Sequence, residues 1–496
     1  MSKSEKRYFK LYSSAFKKDT QLIRLFDIIE REKAYEDEVR VLSKFRSVCK
    51  GKDFYGTKKK LYEQLMRSLR IYHSGISAEG RINSFINNAQ LLLQKRLFDE
   101  CAVELEKAIL LAEEGEFFLL LLQAFEIEAR MNLGKELPEQ EIVRKESAKE
   151  DAILKYRNYS KYLSLESAFA TMYYKYSFIR SEQTEFIYSE IISSPFIKDS
   201  SMALSARSRM IRSNILCSYY FAKCDFENGY LQAKNVMLEI ESRPGFETLF
   251  QRKYVSAIGN AIKCLLYLRQ YDKMKIIIEK LKLVKPVDKD IAIRKFELKT
   301  VEVSALLDVG DFKAALAMIP QMEEELKIYF GKVEMKNQVI ILFHAALANF
   351  GLEKYSESIK WLNRLLHLPG AEKNSDIYYF AQLANLILHY EKSNIEHVEY
   401  KMRSIYKYFY TRQSSFKFES LILQLIKEAI YVNDQKELIA LFADYKIKLE
   451  RVLKDPFEKI AIEYFDIISW LESKIEGKSF ADCVRRKATS SAIHLR

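Results

Sequence analysis

ILFHAALANFGLEKYSESIKWLNRLLHLPG, residues Ile341 to Gly370, reads as two short helices folded back on one another. Ala345, Ala346 and Ala348 thin the first helix so that a neighbour can approach closely. Tyr355 opens the second, and Leu362, Leu365 and Leu366 give it one apolar face. Pro369 marks its end, because proline has no N–H to continue the ladder. A helix pair of this size cannot bury its apolar face alone, so the stretch predicts a stack of similar pairs.

The phrase recurs. Further second-helix openings stand at Phe98, with Cys101, Leu105 and Ala108; at Phe226, with Gly229 and Ala233; at Tyr271, with Met274, Ile278 and Pro286; and at Phe312, with Ala315 and Ile319. The steps from 226 to 271, 312 and 355 are 45, 41 and 43 residues, and the 128 residues between Phe98 and Phe226 are close to three steps. That interval is therefore assigned two further units. Beyond Tyr355 the step falls near Val398 and Leu441, both in segments of helical apolar spacing. Asp455 and Pro456 form an N-cap and first-turn pair for a last helix through Trp470 and Ile475, ended by Gly477. The remainder, KSFADCVRRKATSSAIHLR, is expected to hold a short helix and a mobile basic tail.

Composition agrees with an all-α chain. Fourteen Gly and seven Pro in 496 residues fall well below the average usage of roughly 7% and 5%, leaving little for hairpins or phosphate-cradling loops. The N-terminus has no apolar leader, and the longest apolar run, Phe117 to Leu122, is far short of the ~18 residues of a spanning helix. Cys49, Cys101, Cys217, Cys224, Cys264 and Cys483 form no CxxC pair, which fits reduced core thiols and a cytoplasmic location.

Charge is uneven along the chain. Residues 1 to 80 hold 19 Lys and Arg against 11 Asp and Glu, eight of the twelve net positive charges. Four helices are expected there. Ser2 and Glu5 make a capping box for the first, which carries Tyr8, Phe9, Leu11, Tyr12 and Phe16. Asp19 caps a second, apolar around most of its circumference from Leu22 to Ile29. A third buries Leu42, Phe45 and Cys49, and a fourth buries Leu61, Tyr62, Leu65, Met66, Leu69 and Tyr72. Arg40, Lys44, Arg46, Lys58, Lys59, Lys60, Arg67 and Arg70 then form a basic face, the candidate polyanion-binding residues, with only Asp53 and Glu63 between Arg40 and Arg70. A turn at Gly56 and Thr57 would make the third and fourth helices a helix-turn-helix. The bland reading is a solvated cationic face or one docked on an acidic neighbour.

Small residue, aromatic, small residue, large apolar residue and terminal proline together resemble the tetratricopeptide repeat. Gly310 with Phe312, Phe312 with Ala315, and Tyr271 with Pro286 match that family's separations. The step is longer than the family's ~34 residues, there is no regular Trp, Leu and Gly signature, and a step of this size also suits HEAT or armadillo repeats. The resemblance implies a right-handed α-solenoid of about nine helix pairs with a concave face that holds a peptide or partner helix, and it brings no catalytic residues.

No metal or cofactor set is legible. His73, His344, His367, His389, His397 and His494 stand in no HExxH and in no Cys and His set of metal spacing. His344, between Phe343 and Ala345, reads as a hydrogen-bonded core histidine, and His389 and His397 as residues of separate helices. Gly477, Lys478 and Ser479 echo a phosphate-binding loop, but Glu472 stands where its first glycine belongs and a helix precedes it. The expected organisation is a basic N-terminal helical cap or accessory domain (1–80), a repeat array (81–476) and a basic tail (477–496). The expected function is a non-enzymatic scaffold binding an unidentified protein or peptide, or alternatively a nucleic-acid-binding regulator that grips phosphates with the basic helices and senses a partner with the repeats.

Overall fold

The computed structural model describes residues 1, 3–15, 20–32, 38–75, 77–176, 178–179, 181–329, 333–371, 375–412, 417–455 and 457–493. Ser2, Phe16, Asp19, Pro456 and His494, to which the sequence assigned roles, lie outside them. The described residues are all-α and form no strand. The chain divides into two compact units, Met1–Tyr159 and Ser160–Arg496.

In the first unit, α1 (Lys3–Ala15) and α2 (Thr20–Glu32) pack on α4 (Phe54–Ser74), and α3 (Glu38–Val48) packs on α2 and α4. Phe9, Leu25, Phe45, Phe54 and Leu61 form their shared core. Asp53 caps α4, its carboxylate accepting the N–H groups of Tyr55 and Gly56 at 3.1 and 2.9 Å. Gly56 and Thr57 thus lie inside the helix, and the turn that separates α3 from α4 is Cys49–Asp53 instead. The buried stripe of α4 runs Phe54, Thr57, Leu61, Ser68. Tyr62 and Met66 lie about 100° or more around the helix from Leu61, so they face outward, against the expectation of burial. Leu11 of α1 is exposed as well. Next come α5 (Ala78–Gln94), α6 (Phe98–Glu114) and α7 (Phe118–Met131), each packed on the one before. The division between the units falls within α8 (Glu139–Tyr176).

The second unit continues through α9 (Glu182–Ile192) and the single turn α10 (Pro195–Lys198) to a run of neighbouring helix pairs. These are α11 (Ala206–Ala222) with α12 (Phe226–Glu241), and, after the turn α13 (Phe246–Leu249), α14 (Gln251–Tyr267) with α15 (Tyr271–Leu283). Then α16 (Lys289–Glu297) and α17 (Lys299–Asp308) precede α18 (Phe312–Ile328), followed by α19 (Met335–Gly351) with α20 (Tyr355–Leu366). Last come α21 (Ser375–Glu391) with α22 (Ile395–Arg412), α23 (Lys417–Ala429) with α24 (Gln435–Val452), and α25 (Ile467–Glu476) with α26 (Phe480–Ile493).

All five expected openings, Phe98, Phe226, Tyr271, Phe312 and Tyr355, are first residues of helices. One turn geometry explains this regularity. Arg96, Glu116, Cys224, Arg269, Gly310, Glu353 and Ser393 have positive φ, and each stands two residues before the next helix. The residue after each donates its N–H five residues back, as Leu97 does to Leu92 (3.0 Å), Asp311 to Leu306 (2.8 Å) and Asn394 to His389 (3.0 Å). These bonds are Schellman turns, which satisfy carbonyls that a helix end would otherwise leave open. The interval assigned to two further pairs holds instead α7, the 38-residue α8, α9 and α10.

The C-terminal region also departs from expectation. Asp455 begins no α-helix: a 3-10 turn, Lys459–Glu463, intervenes, and Asp466 caps α25 by accepting the Ser469 N–H at 3.1 Å. Gly477 ends α25 in the left-handed region as expected. The presumed tail is α26, whose Phe480, Cys483 and Val484 are buried. Phe480 lies 5.7 Å from Phe312 and 5.1 Å from Phe350, and Tyr464 stacks on Phe380 at 4.6 Å. Trp470 and Lys474 both donate to the buried Glu391 of α21, at 2.5 and 2.6 Å. Residues 464–484 therefore pack back against α18, α19 and α21.

Candidate functional site

Between that C-terminal segment and the first helices of the preceding pairs lies a cavity of about 490 Å³, walled by α11, α14, α17 and α19 on one side and by residues of 462–488 on the other. Helical spacing aims polar groups into it. Thr300, Ser304 and Asp308 follow one another at four-residue intervals along α17, and Asn260 and Lys263 are three apart on α14. Lys336, Asn337 and His344 enter from α19.

At one end Arg269 bridges two carboxylates. It donates to Asp308, and its guanidinium also meets both Glu463 oxygens, at 3.1 and 2.9 Å. Burial pushes the Asp308 carboxyl up to about 7 against the opposing pull of Arg269. Lys487 pairs with Asp466 nearby at 3.0 Å. Each charge at this end has an opposite partner.

The other end differs. Lys263 projects into the cavity with no hydrogen bond or ion pair among the described residues. Burial lowers the affinity of its amine for a proton, Lys336 lowers it further, and Glu297 and Glu334 partly offset both. Glu297 is itself engaged, accepting the Glu334 N–H at 3.3 Å. An amine on a cavity wall with no carboxylate in ion-pair reach among the described residues can pair with an anionic group, which would restore its affinity for a proton.

His344 lies between the two ends, with Nε2 3.1 Å from the Ser304 hydroxyl. Ser304 also lies 3.1 Å from the Thr300 carbonyl; when its hydroxyl donates there, Nε2–H is the donor to Ser304. Nδ1 is buried with no hydrogen-bond partner among the described residues. Burial holds the imidazole down to about 4, hence neutral at pH 7. His389 and His397, expected on separate helices, do lie on α21 and α22, but their rings meet at 4.1 Å. No cluster of potential metal ligands forms among the described residues.

In the first unit, the candidate residues Arg40, Lys44, Arg46, Lys58, Lys59, Lys60, Arg67 and Arg70 are all exposed on α3 and α4. Lys58 pairs with Glu38 at 2.6 Å. Arg46, Lys59, Lys60, Arg67 and Arg70 have no carboxylate within ion-pair distance among the described residues. The face is thus basic, but it is not purely charged: Tyr55 and Tyr62 stand 63% and 65% exposed among these cations.

Sequence reading missed Lys263, Arg269 and Asp308. Lys263 had a signal, as the one charged residue in the apolar stretch Tyr254 to Leu268. Arg269 had none, because its partner Glu463 is 194 residues away. No protein-family model, curated protein or solved structure matches the chain. No described helix is long and apolar enough to cross a membrane.

Proposed function

We propose that the chain is a non-enzymatic binding protein whose helical array receives a short peptide in the cavity of its second unit, an acidic group of the peptide pairing with Lys263. The observation that carries the reading is the Lys263 amine on the wall of this cavity, without an ion-pair partner among the described residues. The volume, about 490 Å³, lies within the ~300–1,000 Å³ of ordinary ligand pockets. It suits a few extended residues better than the several-turn helix that the sequence left open. The carboxamides of Asn260 and Asn337 offer donors and acceptors of the kind a peptide backbone requires.

Ser304 and His344 support binding over catalysis. A hydroxyl 3.1 Å from an imidazole has the spacing of a nucleophile and its base. Here the hydroxyl has the Thr300 carbonyl as a competing acceptor at 3.1 Å, and no carboxylate among the described residues orients Nδ1.

The test is thermal unfolding of the full chain with a library of short acidic peptides, beside the Lys263→Ala variant. A peptide at a hundred times its Kd raises apparent stability by about 2.7 kcal/mol, and the rise should vanish in the variant. A library without effect, or a shift that survives Lys263→Ala, overturns the reading.

A further inference from the structure

The outward face of α4 carries a pattern that the cavity does not use. Tyr55, Lys59, Tyr62, Met66 and Arg70 follow at intervals of four, three, four and four residues, so they form one stripe roughly 22 Å long. All five are exposed. Beside the stripe, Lys60 and Arg67 add two more cations without carboxylate partners among the described residues. Asp53 spends its carboxylate on the helix cap, and Glu38 on Lys58. Aromatic and cationic side chains therefore share a surface on which, among the described acids of α3 and α4, only Glu63 is not engaged elsewhere.

We propose that this stripe binds single-stranded nucleic acid, Tyr55 and Tyr62 stacking on unpaired bases while Lys59, Lys60, Arg67 and Arg70 hold the phosphates. Charge complementarity selects a polyanion, and the tyrosines select its form. In a duplex the flat faces of bases are covered by their neighbours, so exposed rings have nothing to stack on; in a single strand each base offers a face and each linkage a phosphate. A membrane surface fits less well. Lys59 lies between the two tyrosines on the same stripe, so seating the rings below the headgroups would carry an ammonium with them. Unlike a groove-reading helix, the stripe offers Tyr and Met where base-edge recognition uses Arg, Asn and Gln.

The experiment is fluorescence anisotropy of a labelled 20-mer of thymidine or uridine with the full chain. Matched duplex and vesicles containing anionic lipid serve as competitors. Four phosphate contacts on a single strand give a log–log salt slope of about −3, a roughly 50-fold loss of affinity between 50 and 200 mM salt. Tyr62→Ala and Tyr55→Ala should each weaken binding about ten-fold, with Tyr62→Phe near wild type, because stacking needs the ring and not the hydroxyl. Circular dichroism should be unchanged in all three, since both side chains are exposed. Absence of binding at 50 mM salt overturns the proposal. So does binding that ignores both tyrosine-to-alanine changes, which reports charge alone. Equal or tighter binding of duplex would point to groove docking, and capture by vesicles in preference to the oligonucleotide would point to a membrane; either result rejects the single-strand assignment.

Discussion

Arg269 occupies a backbone position that favours glycine and still neutralises two carboxylates from it. The two effects can be separated. Arg269→Ala should destabilise the second unit by about 2–3 kcal/mol, because Asp308 and Glu463 are left partly buried without their cation. Arg269→Gly should cost about 1 kcal/mol less, since glycine adopts positive φ without strain; urea midpoints of the two variants measure the difference. The histidines set a pH dependence. Burial holds His344 to about 4, and burial, then His397, Lys401 and Lys392, hold His389 to about 4. Both values lie below the unfolded value of about 6.5, so their stabilising contribution is whole above that pH and is lost as pH falls toward 4. Between pH 7 and 5 the wild-type midpoint should fall more steeply than that of a His344→Gln, His389→Gln double variant. Asp308 works in the opposite sense: raised to about 7, it contributes fully below the ordinary carboxylate range and loses that contribution as pH climbs through 7. Of these residues the histidines were named from the sequence, His344 as a polar group in an apolar run. Arg269 and Asp308 look like ordinary helix-end charges until the fold brings Glu463 to them.

At the level of the helix pair, two neighbouring substitutions should act with opposite signs. A Cβ on Gly351 would meet the Phe312 ring at 2.3 Å, so Gly351→Ala forces apart the ends of α18 and α19 and should cost about 1–3 kcal/mol. Two residues on, Glu353 has φ 58°, and Glu353→Gly should stabilise by about 1 kcal/mol by relieving that strain. Thermal melts of the two single variants test both. The same turn explains what could be read in advance. Aromatic openings were legible because they begin second helices, and the apolar step located five of them. The turns were not, because only Gly310 among the seven positive-φ residues is the glycine that announces such a cap. α8 was unreadable as one element, since its apolar residues are scattered around its circumference and give no stripe. On α4 the composition showed the charge, but tyrosines at helical spacing looked like core; only the packing of α1 and α2 on the opposite side fixes Tyr55 and Tyr62 outside.

For the molecule as a whole, the C-terminal residues are structural members. Phe465 and Phe480 cover Phe350, with ring centres 5.2 and 5.1 Å from it, and the Glu391 contacts of Trp470 and Lys474 hold that cover in place. A chain ending at Val452 should therefore bind a hydrophobic dye and unfold at lower temperature; one that stays dye-silent with an unchanged midpoint would show the cover to be dispensable. The 194 residues between Arg269 and Glu463 also set a clock. At roughly 5–20 residues per second, a ribosome needs about 10–40 s after making Arg269 to deliver its second carboxylate. Throughout that time the aromatic wall around Phe312 and Phe350 stands without the rings that cover it in the folded unit.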